Sequence, residues 1–195
     1  MKLRNTPHGY GLVSIFLHWV MAILLVGLFA LGIYMVNLDY YHPWYHKAPD
    51  LHRDLGVVAA VLLVLRLGWR LHNPLPAIHG APWEQCTAVW VHRSFYVLIA
   101  ANVISGYLIS TADGHALPVF GWFEIPATIH GIENQEDIAG MAHQWLAYGL
   151  IALAVFHSLA ALKHHFIDHD PTLRRMLSPR EAPSPVSSTT HITEE

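Results

Sequence analysis

One long apolar stretch limits what this chain can fold into more than any other feature of its sequence. Between Asp137 and Lys163 there are 25 consecutive residues without a formal charge, Ile138–Leu162. At about 1.5 Å per residue, a helix of this length crosses the roughly 30 Å hydrocarbon core of a bilayer. His143 and His157 both lie inside the stretch. It therefore predicts a membrane-spanning helix that carries two imidazole side chains.

The spacing of these two histidines places them on one face of the helix. They are 14 residues apart, which leaves them within about 40° of each other around the axis and about 21 Å apart along it. An ionisable group inside a bilayer is costly and usually has a partner or a function. A single such histidine is more often a hydrogen-bonded packing residue than a metal ligand. A matching set of histidines on other helices would favour metal ligation.

Composition and charge distribution indicate a membrane protein. The chain is 53% hydrophobic and only 13% charged, whereas a soluble domain is about 25% charged. Three further apolar stretches predict an all-α, four-helix transmembrane bundle: residues 11–38, a helix opening at 49–54, and a helix from Glu84 or Trp90 to Ala112. We expect membrane lipid around the chain and no nucleic-acid partner. The first stretch lacks the features of a cleavable signal peptide.

Basic residues predict the orientation of the bundle. Two of them, Lys47 and Arg53, fall on one side of the four predicted spans. Nine fall on the other side: Lys2, Arg4, Arg66, Arg70, Arg93, Lys163, Arg174, Arg175 and Arg180. By the positive-inside rule both termini are cytoplasmic, which agrees with an even number of spans.

Four histidines form two pairs at matching depths. His18 in helix 1 and His157 lie near the cytoplasmic side, whereas His52 in helix 2 and His143 lie near the outer side. Haem is the natural candidate for such pairs, because axial imidazoles on two facing helices hold it in an apolar pocket. Two haems about 20 Å apart would carry electrons across the membrane. The single cysteine, Cys86, excludes a covalent C-x-x-C-H attachment, so the haem would be b-type.

Other residues on the same faces have open interpretations. Gly32 lies 14 residues after His18, where a missing side chain admits either a planar group or a neighbouring helix. Gly106 lies 14 residues after His92 on helix 3, which carries no second interior histidine. We therefore expect no complete ligand pair from helix 3. Arg66 either pairs with haem propionates or anchors its helix at the interface.

The remaining segments are predicted to connect the helices or to extend beyond them. Residues 39–51 predict an interfacial loop and residues 72–82 a proline-rich turn. Residues 113–136 contain a predicted short helix lying on the membrane surface. Residues 1–177 make up the predicted transmembrane domain, and the Ser-, Thr- and Pro-rich residues 178–195 a disordered tail.

Each predicted helix contains a distinctive motif: SIFLHW in helix 1, LHRDLG and VLRLGWRL in helix 2, HRSFYVLIAANVISG in helix 3, and AHQWLAYGLIALAVFHSLAALKHHFIDHDPTLRRML in helix 4. With these motifs the sequence resembles the bacterial cytochrome b561 family from about Gly11 to Leu177. The resemblance implies a dihaem cytochrome of the bacterial inner membrane and a role in respiratory electron transport. The family's haem ligands correspond to His18, His52, His143 and His157.

The resemblance also implies a reaction. One member of the family is a superoxide oxidase, an oxidoreductase that passes the electron from superoxide to ubiquinone. Its quinone-site histidine corresponds to His164, which lies about 10 Å beyond His157 on the haem face. Interfacial anchoring is the alternative role for His164 and for its neighbour His165.

The predicted outer surface departs from this picture because it is acidic. Only Lys47 and Arg53 oppose eight acids: Asp39, Asp50, Asp54, Asp113, Glu124, Glu133, Glu136 and Asp137. An acidic surface repels an anion unless Arg53 and nearby histidines form a local positive site. Three hypotheses therefore stay open. The chain is a superoxide:ubiquinone oxidoreductase, a cytochrome b subunit that accepts electrons from a partner dehydrogenase or hydrogenase, or a non-redox protein whose histidines bind zinc or iron.

Overall fold

Four long α-helices make up most of the structure, a computed structural model that describes residues 3–7, 9–77 and 80–178. Their bounds are α1 Leu12–Val36, α2 Lys47–Leu71, α3 Pro82–Ser110 and α4 Gln135–Phe166. A short helix, α5 Thr172–Leu177, follows α4. The bundle is therefore helical, as the apolar stretches predict.

Consecutive helices pack against each other and run in alternating directions. α1 packs on α2, α2 on α3, and α3 most extensively on α4, while α1 and α4 touch over a short length. The start of α1 lies beside the end of α2, since Trp69 donates a hydrogen bond to Ser14 at 2.9 Å. The end of α3 lies beside the start of α4, since Gln135 donates to the Leu108 carbonyl at 3.0 Å.

Both described ends of the chain gather at one end of the bundle, here called the terminal end. Asn5 donates a hydrogen bond to the carbonyl of Pro74, which lies between α2 and α3, at 3.0 Å. Trp19 on α1 donates to the carbonyl of Met176 on α5 at 2.8 Å. These contacts tie the N-terminal segment, the α2–α3 connector and α5 to the same end.

The outward faces of the helices are apolar. Ile23 on α1 is 70% exposed, Val64 on α2 is 70% exposed, and Trp145 on α4 is 68% exposed. A soluble protein rarely leaves such large apolar side chains open over a continuous surface. Lipid tails provide the matching solvent, so these faces are the lipid-contacting surface of a membrane bundle.

Three of the long helices are long and apolar enough to cross a membrane, namely α1, α3 and α4. α2 is 25 residues long but places its charged residues in its first two turns and its last two. Only its middle, residues 55–65, contains no charged residue. Its role as a fourth span stays a prediction.

The connector between α3 and α4 forms a β-hairpin, so the prediction of a surface helix there is wrong. Strand β1 Leu117–Val119 pairs antiparallel with β2 Phe123–Ile125. Leu117 and Val119 are buried and Pro118 is exposed, the alternation typical of a strand. In the three-residue loop between the strands, Phe120 and Gly121 both have positive φ, which suits a tight turn and not a helix. Proline at 118 and 126 also opposes a helix.

The hairpin marks the opposite end of the bundle, here called the hairpin end. The backbone N–H of Phe120 donates a hydrogen bond to the carboxylate of Asp54, in the second turn of α2, at 2.8 Å. Val119 is only 1% exposed. The hairpin therefore packs over the start of α2. The predicted disordered tail, apart from Ser178, lies outside the described residues.

Candidate functional site

Two pairs of histidines lie inside the bundle, one near each end. At the terminal end the ring centres of His18 on α1 and His157 on α4 are 6.4 Å apart, with ring planes at 69°. At the hairpin end the ring centres of His52 on α2 and His143 on α4 are 6.0 Å apart, with planes at 76°. The four histidines paired by depth in the sequence are thus neighbours in space.

These separations fit ligation of one metal ion between the two rings of each pair. A metal–nitrogen bond of about 2 Å on each side, and roughly 1 Å from each nitrogen to its ring centre, set the centres about 6 Å apart. A direct hydrogen bond between two imidazoles is not found in either pair within the described structure. The geometry of both pairs is therefore suitable for axial ligands of haem.

The tautomer of His143 is fixed by the backbone of α3. Nδ1 of His143 lies 3.0 Å from the carbonyl oxygen of Asn102 and 3.1 Å from Oγ of Ser105. Because the carbonyl is an acceptor only, Nδ1 carries the proton and donates it to Asn102. Nε2 is then left with a lone pair. Histidines that bind a metal through one ring nitrogen commonly donate a hydrogen bond of this kind from the other.

Two glycines leave room around the hairpin-end pair. A Cβ added at Gly32 would lie 3.5 Å from Cε1 of His52, and one added at Gly106 would lie 3.3 Å from Cε1 of His143. In the sequence, the spacing from His18 and His92 is the feature that singles out these two glycines. In the structure they flank the other pair, where they let α1 and α3 approach the two rings closely.

Arg66 contacts the terminal-end pair. One terminal nitrogen of its guanidinium, Nη2, lies 3.0 Å from Nδ1 of His18. A guanidinium only donates, so Nδ1 of His18 accepts in this arrangement. An imidazole that ligates iron through Nε2 carries a proton on Nδ1, so Arg66 would have to leave this position. A propionate carboxylate in the same pocket would provide the alternative partner.

A third histidine joins the terminal-end pair, although its position in the chain gives little indication of this contact. The ring centre of His92 on α3 lies 5.4 Å from that of His157, and Phe95 on the next turn also lies 5.4 Å away. His157 is therefore enclosed on the α3 side by two rings. The only available signal was that His92 falls at a depth similar to that of His18.

His164 lies beyond the pairs, at the terminal end of α4. Its Nδ1 is 2.7 Å from a carboxylate oxygen of Asp168, and its side chain is 19% exposed. It is thus partly accessible from the end of the bundle and bound to an acid that follows the helix.

The hairpin end does not present a free basic site around Arg53. The guanidinium of Arg53 forms an ion pair with the carboxylate of Asp50, one turn earlier on α2. His115 pairs with Asp113 in the connector, at 2.9 Å. Among the described residues, Arg53 therefore does not form the local positive site that would attract an anion.

Comparison with known proteins agrees with this architecture. A sequence model of the family described as prokaryotic cytochrome b561 matches residues 9–179. The chain is 49% identical to cytochrome b561 homolog 2 of Escherichia coli (strain K12), over 91% of this chain and 95% of that protein. It is 26% identical to the probable superoxide oxidase CybB of Yersinia pestis, over 86% and 95% of the two chains. The chain therefore belongs to the prokaryotic cytochrome b561 family and is a membrane b-type cytochrome.

Proposed function

We propose that this cytochrome carries electrons across the bacterial inner membrane, from a donor at the hairpin end to ubiquinone at the terminal end. The observation that supports the proposal best is the presence of two imidazole pairs at two depths, with ring centres 6.4 and 6.0 Å apart. A single pair would serve one redox centre on one side. Two pairs provide a relay through the bundle.

In this proposal the chain holds two haem b groups. His18 and His157 would hold one of them, and His52 and His143 the other. Each haem would supply a one-electron redox centre, and an iron held by two histidines favours electron transfer over oxygen chemistry. Arg66 binds a propionate at the terminal-end site, and Asn102 orients His143 through its carbonyl oxygen.

We further propose that all four long helices span the membrane with both termini in the cytoplasm. The close packing of α2 between α1 and α3 supports a fourth span, because its charged residues lie only near its ends. The terminal end holds most of the basic residues of the described chain, which favours the cytoplasmic side. Ubiquinone would then be reduced near the cytoplasmic surface, where His164 would bind a quinone carbonyl.

Two kinds of electron donor at the hairpin end are compatible with the proposal. Superoxide is supported by the family resemblance and by the name of the Yersinia pestis relative. A docking redox protein is favoured by the acidic hairpin end and by the ion pair that occupies Arg53, since such a surface repels an anion and attracts a basic partner. Either donor delivers electrons to the His52–His143 site first.

Two measurements test the proposal. A reduced-minus-oxidised spectrum with a pyridine haemochrome assay should give two b-type haems per chain, and one haem or none would refute the relay. Stopped-flow mixing of the oxidised protein with superoxide, without any partner, then separates the donors. Fast haem reduction supports the superoxide route, whereas haem that stays oxidised supports a protein donor. The hypothesis of a non-redox zinc or iron carrier predicts no haem at all.

A further inference from the structure

A chain of four charged or polar groups connects α3 to the end of α4 at the terminal end. The ammonium of Lys163 lies 2.7 Å from a carboxylate oxygen of Glu84, in the first turn of α3, and 2.9 Å from one of Asp168. The same Asp168 oxygen lies 2.7 Å from Nδ1 of His164. Asp168 thus has two cationic or donor partners, and His164 is the last member of the chain.

The backbone after α4 holds Asp168 in place. The N–H groups of Ile167 and Asp168 both donate to the carbonyl of Lys163, at 2.8 and 3.2 Å, and the N–H of Asp170 donates to the carbonyl of His164 at 2.9 Å. His169 has a φ of 55°, the left-handed conformation that often ends a helix. The segment therefore turns back over the end of α4, and Asp168 is fixed beside His164.

The charge on Asp168 determines which nitrogen of His164 carries a proton. The hydrogen bond from Lys163 is the main cause that lowers the pKa of Asp168, and the hydrogen bond from His164 lowers it further. An ionised carboxylate only accepts hydrogen bonds. Nδ1 of His164 is therefore the protonated nitrogen, and Nε2, on the opposite side of the ring, is free to exchange a proton with another group.

We propose that Asp168 is a positioning residue that keeps a proton on Nδ1 of His164, so that Nε2 is the nitrogen that takes a proton from water and passes it to a quinone carbonyl oxygen. Glu84 and Lys163 hold Asp168 in turn. The inference rests on the proposed reduction of ubiquinone near His164. A carboxylate behind an imidazole fixes its tautomer and orientation in the same way in hydrolase triads.

Reduction of one quinone to quinol takes up two electrons, supplied by the donor of the proposed function, and two protons. Because Nδ1 keeps its proton, Nε2 first takes a proton from water, and the ring is then protonated on both nitrogens. The Nε2–H bond breaks as this proton passes to one carbonyl oxygen and the O–H bond forms, which leaves the ring neutral again. The second carbonyl oxygen takes its proton from water. Nδ1–H stays bonded to Asp168 throughout.

Asp170 provides a matched control for a test on the haem-loaded, full-length protein. Its Oδ2 lies 3.6 Å from the same Nδ1 of His164, beyond hydrogen-bond distance. We compare Asp168→Ala, Asp168→Glu, Asp170→Ala and His164→Ala. The readouts are the ¹⁵N spectrum of labelled histidine in the dithionite-reduced protein, assigned by difference from His164→Ala, and the rate of reduction of a short-chain ubiquinone. The haem spectrum checks that each variant is folded.

The expected result has three parts. Asp168→Ala loses the Nδ1–H signal of His164 and reduces quinone roughly tenfold more slowly. Asp168→Glu recovers part of the rate, and Asp170→Ala keeps both the signal and the rate. If His164→Ala is slow but Asp168→Ala keeps either the signal or the rate, the role of Asp168 is overturned. If His164→Ala itself reduces quinone normally, the proposed quinone site is wrong, and this inference is overturned with it.

Discussion

Gly106 on α3 faces the ring of His143 on α4 so closely that a Cβ at position 106 would lie 3.3 Å from Cε1 of His143. One residue earlier, Oγ of Ser105 lies 3.1 Å from Nδ1 of the same ring. Helix α3 therefore places the His143 ring from two directions, by contact and by hydrogen bonding. A substitution on α3 should therefore alter the position of the His143 ring at the hairpin-end site, although α3 contributes no predicted ligand there.

The first prediction concerns this contact. Gly106→Val adds a branched side chain against the His143 ring, which must move because helix backbones on both sides are fixed. We expect the hairpin-end haem to be lost or reduced by at least about half, at a cost of roughly 1–3 kcal/mol in stability. Haem content and thermal unfolding in detergent measure the two effects.

Gly149→Val is the matched control for that substitution. It makes the same change in a long helix, but no atom lies within 4 Å of a Cβ at position 149. The variant should keep both haems. Equal haem loss in the two variants would mean that valine harms the helices in general and that the Gly106 contact is not special.

The second prediction concerns the ligands themselves. His143→Ala should remove the haem of the hairpin end and His157→Ala that of the terminal end, because a single imidazole is left at each site. The haem-to-protein ratio should fall from two to one in each variant. His115→Ala removes an imidazole whose side chain is 84% exposed and should leave the ratio at two. Unchanged haem in either ligand variant would disprove the corresponding pair.

The third prediction concerns Arg66. A guanidinium close to the terminal-end site favours the reduced, less positive state of a redox centre there. Arg66→Gln should therefore lower the reduction potential of one haem and leave the other nearly unchanged in a potentiometric titration. Arg93→Gln is the control, because the Arg93 side chain is exposed and its guanidinium lies over the ring of Trp90 at 5.5 Å. A shift of the same size in both variants would assign the effect to overall charge.

The fourth prediction concerns the ion pair at the hairpin end. Asp50→Asn releases Arg53 and adds one positive charge near the start of α2. If superoxide is a donor, its rate of reaction should rise severalfold at low salt and lose this gain at high salt, because exposed charges are screened.

Glu133→Gln changes the net charge by the same amount in the α3–α4 connector and is the control for Asp50→Asn. We expect a smaller gain from it, measured by the same stopped-flow experiment at two salt concentrations. An equal gain would indicate that total charge, rather than Arg53, controls access.

Much of the site could be predicted because a helix has a fixed period. Fourteen residues make nearly four whole turns, so the sequence places His143 and His157 on one face of α4 whatever surrounds them. Antiparallel spans of similar length then match His18 in depth with His157, and His52 with His143. The same reasoning predicts the helices, since apolar runs of about 20 residues have few other stable structures in lipid.

The tertiary structure decided which other groups meet the histidines. His92 lies beside His157, Arg66 contacts His18, and the Asn102 carbonyl accepts from His143. These contacts depend on how each helix is rotated toward its neighbours, which the period of a single helix does not determine. Every residue also has a carbonyl, so no sequence pattern distinguishes that of Asn102.

The connector shows the same division at the level of secondary structure. Its length and polarity excluded a span, but a hairpin and a surface helix share those properties. Two tertiary contacts stabilise the hairpin instead of a helix. Leu117 and Val119 pack against the bundle, and the N–H of Phe120 donates a hydrogen bond to Asp54. The sequence by itself determined the depth of each histidine through helical geometry, whereas only packing between helices decided the partners that fix its ring.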